Sequence, residues 1–400
     1  MDAGVVPHLQ PTAGFLYSPN GLQAVTMRDN SSMTPLPSPM LQALALAAEA
    51  LNVSNPNPRV GCVLTDSAGR TLGQGHTQRA GGAHAEVMAL GNAADLGNSV
   101  HGATAWVTLE PCSHRGRTGP CCDALAAAGI ARVVASITDP NPLVAGQGFE
   151  RLRAAGVEVD IGPGAAQSRE LNLGFFSRMI CRTPWVRMKI AASLDGKTAL
   201  DNGVSQWITS QAARADGHGW RARADAVLTG IGTVLEDDPL LDVRLVPTPR
   251  QPNLVLVDSR LETPLGAKLF QPARQLLVYF AVPDPQRQAA LQARGATLVH
   301  VPGAGEKVDL AAMLGDLARR EVNELHVEAG EKLNGSLVRE GLVDEFLVYL
   351  APKLLGQGKG MAGFGPLSEM GQAVPLHFLC ADMTGDDLRI VARIPGRDSF

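Results

Sequence analysis

The feature that constrains this chain most is a set of metal-binding side chains: His84 with Glu86 two residues on, then Cys112 behind a proline, then Cys121. Zinc prefers nitrogen and sulfur donors in a tetrahedron, and a catalytic site takes three of them from protein so that the fourth position stays open to water. If His84, Cys112 and Cys121 are that set, the chain must bring two helix starts and a strand end to one point. The local pattern permits it. Residues 84–95 have helical composition, so His84 can bind metal while Glu86 faces the open position. Cys112 follows an apolar strand candidate, and Cys121 opens a helix, where the N-terminal dipole favours a thiolate. Other readings stay open. Two free cysteines and a histidine can be core filler, and a structural zinc would want a fourth protein ligand and leave Glu86 without a task. Cys122 competes with Cys121, although the helix should turn it to another side.

Zinc enzymes that deaminate bases carry H-x-E together with P-C-x-x-C. Here eight residues, Ser113 to Pro120, separate the cysteines, and they include His114, Arg115 and Arg117, which suit an anionic substrate. The predicted chemistry is hydrolytic. Zinc would supply water with a pKa lowered to about 7, and Glu86 would take its proton and hand it to departing ammonia.

Four hundred residues at 45% hydrophobic composition are too many for one ordinary core, so two domains are predicted. A net charge of −4, without basic stretches interleaved with aromatics, argues against a nucleic-acid partner and for a small-molecule substrate. Six cysteines form no spaced disulfide framework, which fits a reducing cytoplasm. No apolar run approaches the roughly 20 residues of a membrane span. Residues 1–35 hold Pro7, Pro11, Pro19 and Pro35 and lack a basic start ahead of an apolar stretch. They are predicted to be a mobile extension and not a signal peptide.

Ser38-Pro39 reads as a cap followed by proline at the first helical position, leading into a helix over 40–52. After the Asn55-Pro56-Asn57-Pro58 turn come strands at 60–65 and 72–76, a helix at 84–95, a strand at 103–109 and a helix at 121–128. A strand at 132–138, a helix at 149–155 and a strand at 157–161 complete an α/β layer with a partly parallel sheet. Residues 167–183 read as a helix and linker. The domain boundary is predicted near 180, giving a first domain over 36–180 and a second over 181–400. In the second, strands are expected at 185–191, 226–229, 254–258, 276–280, 297–301, 325–328, 346–349 and 388–394, with helices at 211–223, 286–294 and 310–320.

Over 54–148 the motifs become specific: Asn55-Pro56-Asn57-Pro58-Arg59-Val60-Gly61, His84-Ala85-Glu86-Val87, Thr108-Leu109-Glu110-Pro111-Cys112-Ser113-His114, Gly116 through Cys121, and Asp139-Pro140-Asn141-Pro142. This stretch resembles the bifunctional riboflavin-biosynthesis deaminase/reductases more closely than the cytidine and tRNA deaminases that share the zinc motif. One departure is Gly119, where the family usually has a second proline. The resemblance implies a cytidine-deaminase-like three-layer α/β/α domain in which Asn57, His76, His114 and Arg117 contact base, ribose or phosphate.

In the second half, Ala191 through Gly196, Gly203-Val204-Ser205-Gln206-Trp207, Asp237-Asp238-Pro239 and Val327-Glu328-Ala329-Gly330 resemble the family's reductase. That implies a dihydrofolate-reductase-like α/β domain, with NADPH at Ala191, Trp207, Thr233, Asp237, Ser259 and the segment Gly330 to Ser336, and substrate at Ser205, Arg221, Arg244 and Glu328. The residues alone say less. A strand ending at Glu328, a glycine and a helix start can hold a phosphate, and guanidinium forks suit a phosphate ester but also serve in surface ion pairs. Lys189 falls on a core strand, where an unpaired ammonium is costly, so it is a further substrate candidate.

The resemblance implies zinc-dependent removal of the 2-amino group from 2,5-diamino-6-(5-phosphoribosylamino)pyrimidin-4-one. NADPH-dependent reduction of the ribosyl side chain of 5-amino-6-(5-phosphoribosylamino)uracil to ribityl would follow. It also implies a homo-oligomer formed through the reductase half, with no nucleic-acid or membrane partner. Two rivals stay open: a nucleic-acid deaminase with an unrelated C-terminal module, and a silent C-terminal scaffold, since a reductase fold does not by itself establish reduction.

Overall fold

The structure is a computed structural model that describes residues 12–18, 21–27, 35–113, 119–142 and 145–400. The stretch expected to be an extension without structure of its own contains an antiparallel pair, β1 (Thr12–Ser18) and β2 (Gly21–Met27). The register pairs Thr12 with Met27 and Ser18 with Gly21, and the proline content of this region obscured the strand pattern.

Next come α1 (Ser38–Glu49), β3 (Gly61–Thr65), β4 (Thr71–His76), α2 (Ala85–Asp95), β5 (Thr104–Val107), α3 (Cys121–Ala127), β6 (Arg132–Ala135), α4 (Gln147–Ala154), β7 (Glu158–Ile161), α5 (Ala165–Leu171) and α6 (Leu173–Ile180). The cap reading at Ser38 does not hold: Pro37 is the N-cap, and no side chain caps α1. The sheet runs β4-β3-β5-β6-β7, with β3 antiparallel to both neighbours and β5, β6 and β7 parallel. Alternation along the strands splits the core in two. Val63 and Val134 face Met40, Leu44 and Leu171 of α1 and α5, whereas Cys62, Leu64 and Val133 face α2, α3 and α4. The result is the expected three-layer arrangement. Gly73 and Gly75 let α2 lie directly on β4, because a Cβ at either would come within 2.4 Å of Ala89 O or Met88 Cβ. This close contact sets the position of His84 and Glu86 at the head of α2.

The second unit comprises β8 (Trp185–Ser193), β9 (Lys197–Leu200), α7 (Gln211–Arg223), β10 (Ala226–Gly230), α8 (Ile231–Asp237), β11 (Asn253–Val257), β12 (Leu276–Phe280), α9 (Pro285–Ala293), β13 (Ala296–His300), α10 (Leu310–Arg319), β14 (Glu324–Val327), α11 (Glu331–Arg339), β15 (Glu345–Ala351), β16 (Gly358–Gly360), β17 (His377–Thr384) and β18 (Asp387–Arg393). Its large sheet runs β13-β12-β11-β10-β14-β8-β15-β18-β17 and is parallel from β13 to β15. The central strands are continuous apolar runs because both faces are covered. Three strands, β9, β16 and β17, went unread in the sequence. They are short or partly exposed, so alternation is weak there. No helix of the described residues is long and apolar enough to cross a membrane.

A buried ion network joins the two units. Glu324, at the start of β14, accepts from Arg59 before β3, from Arg187 of β8 at 3.0 Å and from Arg223 of α7 at 2.8 Å, with every partner at most 4% exposed. Arg187 also meets Glu345, which meets Arg393, which reaches back to Glu170 of α5 at 2.6 Å. Burial opposes the charge on Glu324, but Arg223, Arg59 and Arg187 hold its carboxyl well below the usual carboxylate range. A depressed folded pKa gives stability that is present above the unfolded value of about 4.3 and is lost as pH falls through the folded value. The junction therefore withstands mild acid. Glu324→Gln removes the carboxylate that Arg59, Arg187 and Arg223 share, Arg187 keeping Glu345, and should lower stability by about 3–5 kcal/mol in urea unfolding at neutral pH. An unchanged midpoint and slope would contradict this account.

Candidate active sites

His84 is the N-cap of α2, Cys112 lies in the extended segment beyond β5, and Cys121 is the first residue of α3. Their ligand atoms all fall within 4.8 Å of one another. His84 Nδ1 stands 3.6 Å from Cys112 Sγ and 3.4 Å from Cys121 Sγ. Zinc bonds of about 2.0–2.3 Å at tetrahedral angles give nitrogen–sulfur edges of about 3.5 Å, so these separations are those of a ligand set. The backbone N–H of Cys121 donates to Cys112 Sγ at 3.4 Å. Contacts with Cys121 and His84 draw the Cys112 thiol down to about 4 against the opposing effect of burial. Cys121, sharing the proton with Cys112 and buried, moves up. Cys122 turns away, with its sulfur 3.7 Å from Asp123 Oδ1. Glu86 is 3% exposed, and its carboxyl is pushed up to about 7 by burial, with Cys112 adding and His84 opposing.

A cavity of about 310 Å³ reaches His84, Glu86 and Cys112, within the range of small-molecule sites. Asn57 lines it as expected, but His76 does not. The imidazole of His76 lies instead 3.6 Å from Glu49. His114 and Arg117 lie outside the described residues. Glu110 accepts from the backbone N–H groups of Asp139, Gly146 and Gly148 at 2.9 to 3.2 Å and so fixes the loop that carries Asp139 and Asn141 into the cavity wall.

In the second unit, the predicted residues gather along the carboxyl edge of four neighbouring parallel strands, β11, β10, β14 and β8. Open α/β sheets bind ligands at such edges. Lys189 and Ala191 lie on β8, Ser259 follows β11, and Glu328 and Gly330 follow β14. Thr233 and Asp237 lie on α8, and a Cβ at Gly330 would stand 3.7 Å from Thr233 Oγ1. Gly330 opens α11 without a side-chain cap, leaving backbone N–H groups at that helix start for an anion. Burial raises the Asp237 carboxyl, with Glu236 adding and Lys359 and Ser205 opposing. Trp207 is 60% exposed, with the Arg214 guanidinium 4.4 Å from its ring centroid.

Arg221 grips Glu328 bidentately, at 2.7 and 2.9 Å. Lys189 is half-buried, with its Nζ 5.9 Å from the Tyr349 ring centroid. Burial lowers its pKa, Glu328 partly offsets this, and Arg221 adds to it. Arg244 sits on a loop whose backbone is clamped throughout. Arg274 donates to Leu240 O and Leu241 O, Arg221 to Asp242 O, Gln251 bonds both polar groups of Val243, and His218 Nδ1 accepts from the Arg244 N–H at 3.1 Å. Burial, with Arg221 adding, pushes His218 down to about 4, which keeps Nδ1 free to accept.

Comparison with known proteins joins the two sites. Residues 35–137 match the cytidine and deoxycytidylate deaminase zinc-binding region, and residues 184–388 match the RibD C-terminal domain. The riboflavin biosynthesis protein RibD of Escherichia coli K12 is 42% identical over 87% of this chain and 96% of its own length. That of Aquifex aeolicus is 39% identical over 88% and 96%. Among solved structures, Acinetobacter baumannii RibD superposes with a TM-score of 0.80 at 38% identity, covering 89% of this chain and 97% of that one. A Thermotoga maritima diaminohydroxyphosphoribosylaminopyrimidine deaminase/5-amino-6-(5-phosphoribosylamino)uracil reductase gives 0.79 at 30% identity over 89% and 98%. The chain belongs to the RibD family. It is a bifunctional enzyme of riboflavin biosynthesis, a zinc-binding deaminase domain joined to a reductase domain.

In this RibD-family chain, sequence reasoning named the metal cluster and the acid beside it but missed several neighbours. Glu110 and Asp139 belong to the motifs at 108–114 and 139–142 but had no assigned role, and His218, Gln251 and Arg274 carried no local signal. Arg178 and Glu321 also line the deaminase cavity, and no spacing links them to it. The cluster geometry separates the two adjacent cysteines. Cys121→Ser should abolish stoichiometric zinc while Cys122→Ser keeps it, as read by metal analysis of purified protein. The opposite pattern would reassign the ligand.

Proposed function

We propose that the first domain hydrolytically removes the 2-amino group of 2,5-diamino-6-(5-phosphoribosylamino)pyrimidin-4-one. The second domain then reduces the ribosyl side chain of 5-amino-6-(5-phosphoribosylamino)uracil to ribityl. The observation that carries the first step is the ligand set of His84, Cys112 and Cys121 with Glu86 buried beside it on the same cavity. Bound there, zinc supplies Lewis acidity and an acidic water. Glu86 moves the protons, taking one from the attacking water and giving one to the leaving amino group. Asn57 holds the substrate against the wall, with His114, Arg117 and His76 as further contacts. His76 needs to leave Glu49 to take part.

NADPH supplies the hydride for the second step. Ala191, Trp207, Thr233, Asp237, Ser259 and the segment from Gly330 hold it along the carboxyl edge of the sheet. Ser205, Lys189, Arg221, Arg244 and Glu328 hold the ribotide; the clamped loop fixes the backbone of Arg244, whose guanidinium pairs with Asp242 and turns to the phosphate when substrate arrives. We further propose a cytoplasmic enzyme that assembles as a homo-oligomer through the reductase domain. The outer strand β17 supports this, since it ends the large sheet and exposes Phe378 and Met383.

Mass analysis of the product tests both steps. Without NADPH the diaminopyrimidine ribotide should be deaminated only; with it, the product should also gain two hydrogens. Failure to gain them would defeat the second step. Glu86→Gln should keep zinc and lose deamination about 10²- to 10⁴-fold, and near-normal turnover by that variant would remove Glu86 from the mechanism.

A further inference from the structure

The deaminase cavity is not built from its own domain alone. Its wall includes Phe175, Arg178 and Met179 of α6, which leads into the reductase, and Glu321, on the turn between α10 and β14. The charged groups among its described lining residues are Glu86, Glu110, Asp139 and Glu321 on the acidic side, with His84 and Arg178 on the basic side. His84 belongs to the metal cluster. A phosphomonoester brings nearly two negative charges, and carboxylates cannot receive it. Among the described lining residues, Arg178 is the cation that remains.

The guanidinium is held ready for such a ligand. Its Nε donates to Asn323 Oδ1 at 2.5 Å and its Nη2 to Pro56 O at 3.4 Å. Asn323 is itself fixed, donating from Nδ2 to Pro56 O at 2.9 Å and from its backbone N–H to Asp225 at 2.9 Å. Among the described residues, no carboxylate comes within 4.0 Å of Arg178, so its charge is not committed to an ion pair. The Phe175 ring lies 5.8 Å from its Cζ and limits its swing. One clamp comes from each half of the chain, so the guanidinium is placed only when the halves are joined. Ordering it beforehand removes part of the cost of binding.

We infer that Arg178 anchors the substrate phosphate in the deamination step, and that the reductase half, through Asn323, positions it. The inference rests on the proposed first step. The test compares the diaminopyrimidine ribotide with its dephosphorylated riboside in full-length, zinc-loaded enzyme. Arg178→Gln should lower the ratio of kcat/KM for ribotide over riboside by about ten- to a hundredfold, the size expected for losing a charge-assisted contact. Arg178→Lys should recover part of the ratio. Asn323→Ala keeps the charge and removes the clamp, and should lower the ratio less. A ratio unchanged in Arg178→Gln would overturn the inference and move the phosphate to other residues, and an equal loss on both substrates would reduce Arg178 to a structural role. Wild-type enzyme that deaminates neither compound would instead defeat the first-step reading itself.

Discussion

The buried carboxylate of Glu324 is the interaction on which the rest of this architecture turns. It opens β14, a strand of four residues, and binds guanidiniums from the deaminase domain, from β8 and from α7. At the other end of that strand stand Glu328 and Gly330. At about 3.3 Å per residue, the junction and the reductase edge are only about 13 Å apart along one strand. Helix α7 grips both ends, with Arg223 on Glu324 and Arg221 on Glu328. A displacement of β14 would therefore disturb the domain junction and the reductase site together.

A junction built of buried charge is a particular physical choice. An apolar contact of the same size would hold two domains without fixing their orientation closely, whereas each guanidinium here must meet its carboxylate in a defined direction. Such networks are no more stable than well-packed apolar substitutes but are severely destabilised when one member is lost. The chain Arg59–Glu324–Arg187–Glu345–Arg393–Glu170 starts and ends in the first domain, so it restrains the second at two points. The cavity above the metal cluster needs that restraint, since part of its wall is the turn that precedes β14.

What was legible in the sequence follows from the range of the interactions involved. The metal cluster could be read because ligand chemistry and short motifs carry it: His84 heads a helix, and Cys112 and Cys121 flank one loop. The central strands could be read because burial on both faces writes continuous apolar runs such as Leu276–Phe280. Strand β17 could not, because its residues are only partly covered, and the β1–β2 pair was hidden behind its prolines. Nor could Arg178, Asn323 and Glu321. Glu321 meets the cavity, and Asn323 meets Arg178, only where the two domains dock, and no local pattern records such a contact. The pairing of His76 with Glu49 was illegible for a related reason: the partner sits on a different element.

The electrostatics of the deaminase cavity make a metal ion part of its balance. Burial pushes both Glu86 and Asp139 up to about 7, and the paired sulfurs of Cys112 and Cys121 settle into one lowered and one raised thiol, sharing a proton. Each of these shifts expresses too much negative charge in too little water. A dication among the ligand atoms reverses that pressure, favouring two thiolates and ionised carboxylates in the same volume. Metal binding here is thus coupled to proton release, and its affinity must fall in acid. The same balance bears on the substrate. With the cluster neutralised locally by its ion, Asp139 and Glu321 of the cavity wall still repel a phosphate, which a fixed guanidinium would offset. Metal at one end and arginine at the other would orient the pyrimidine before any proton moves.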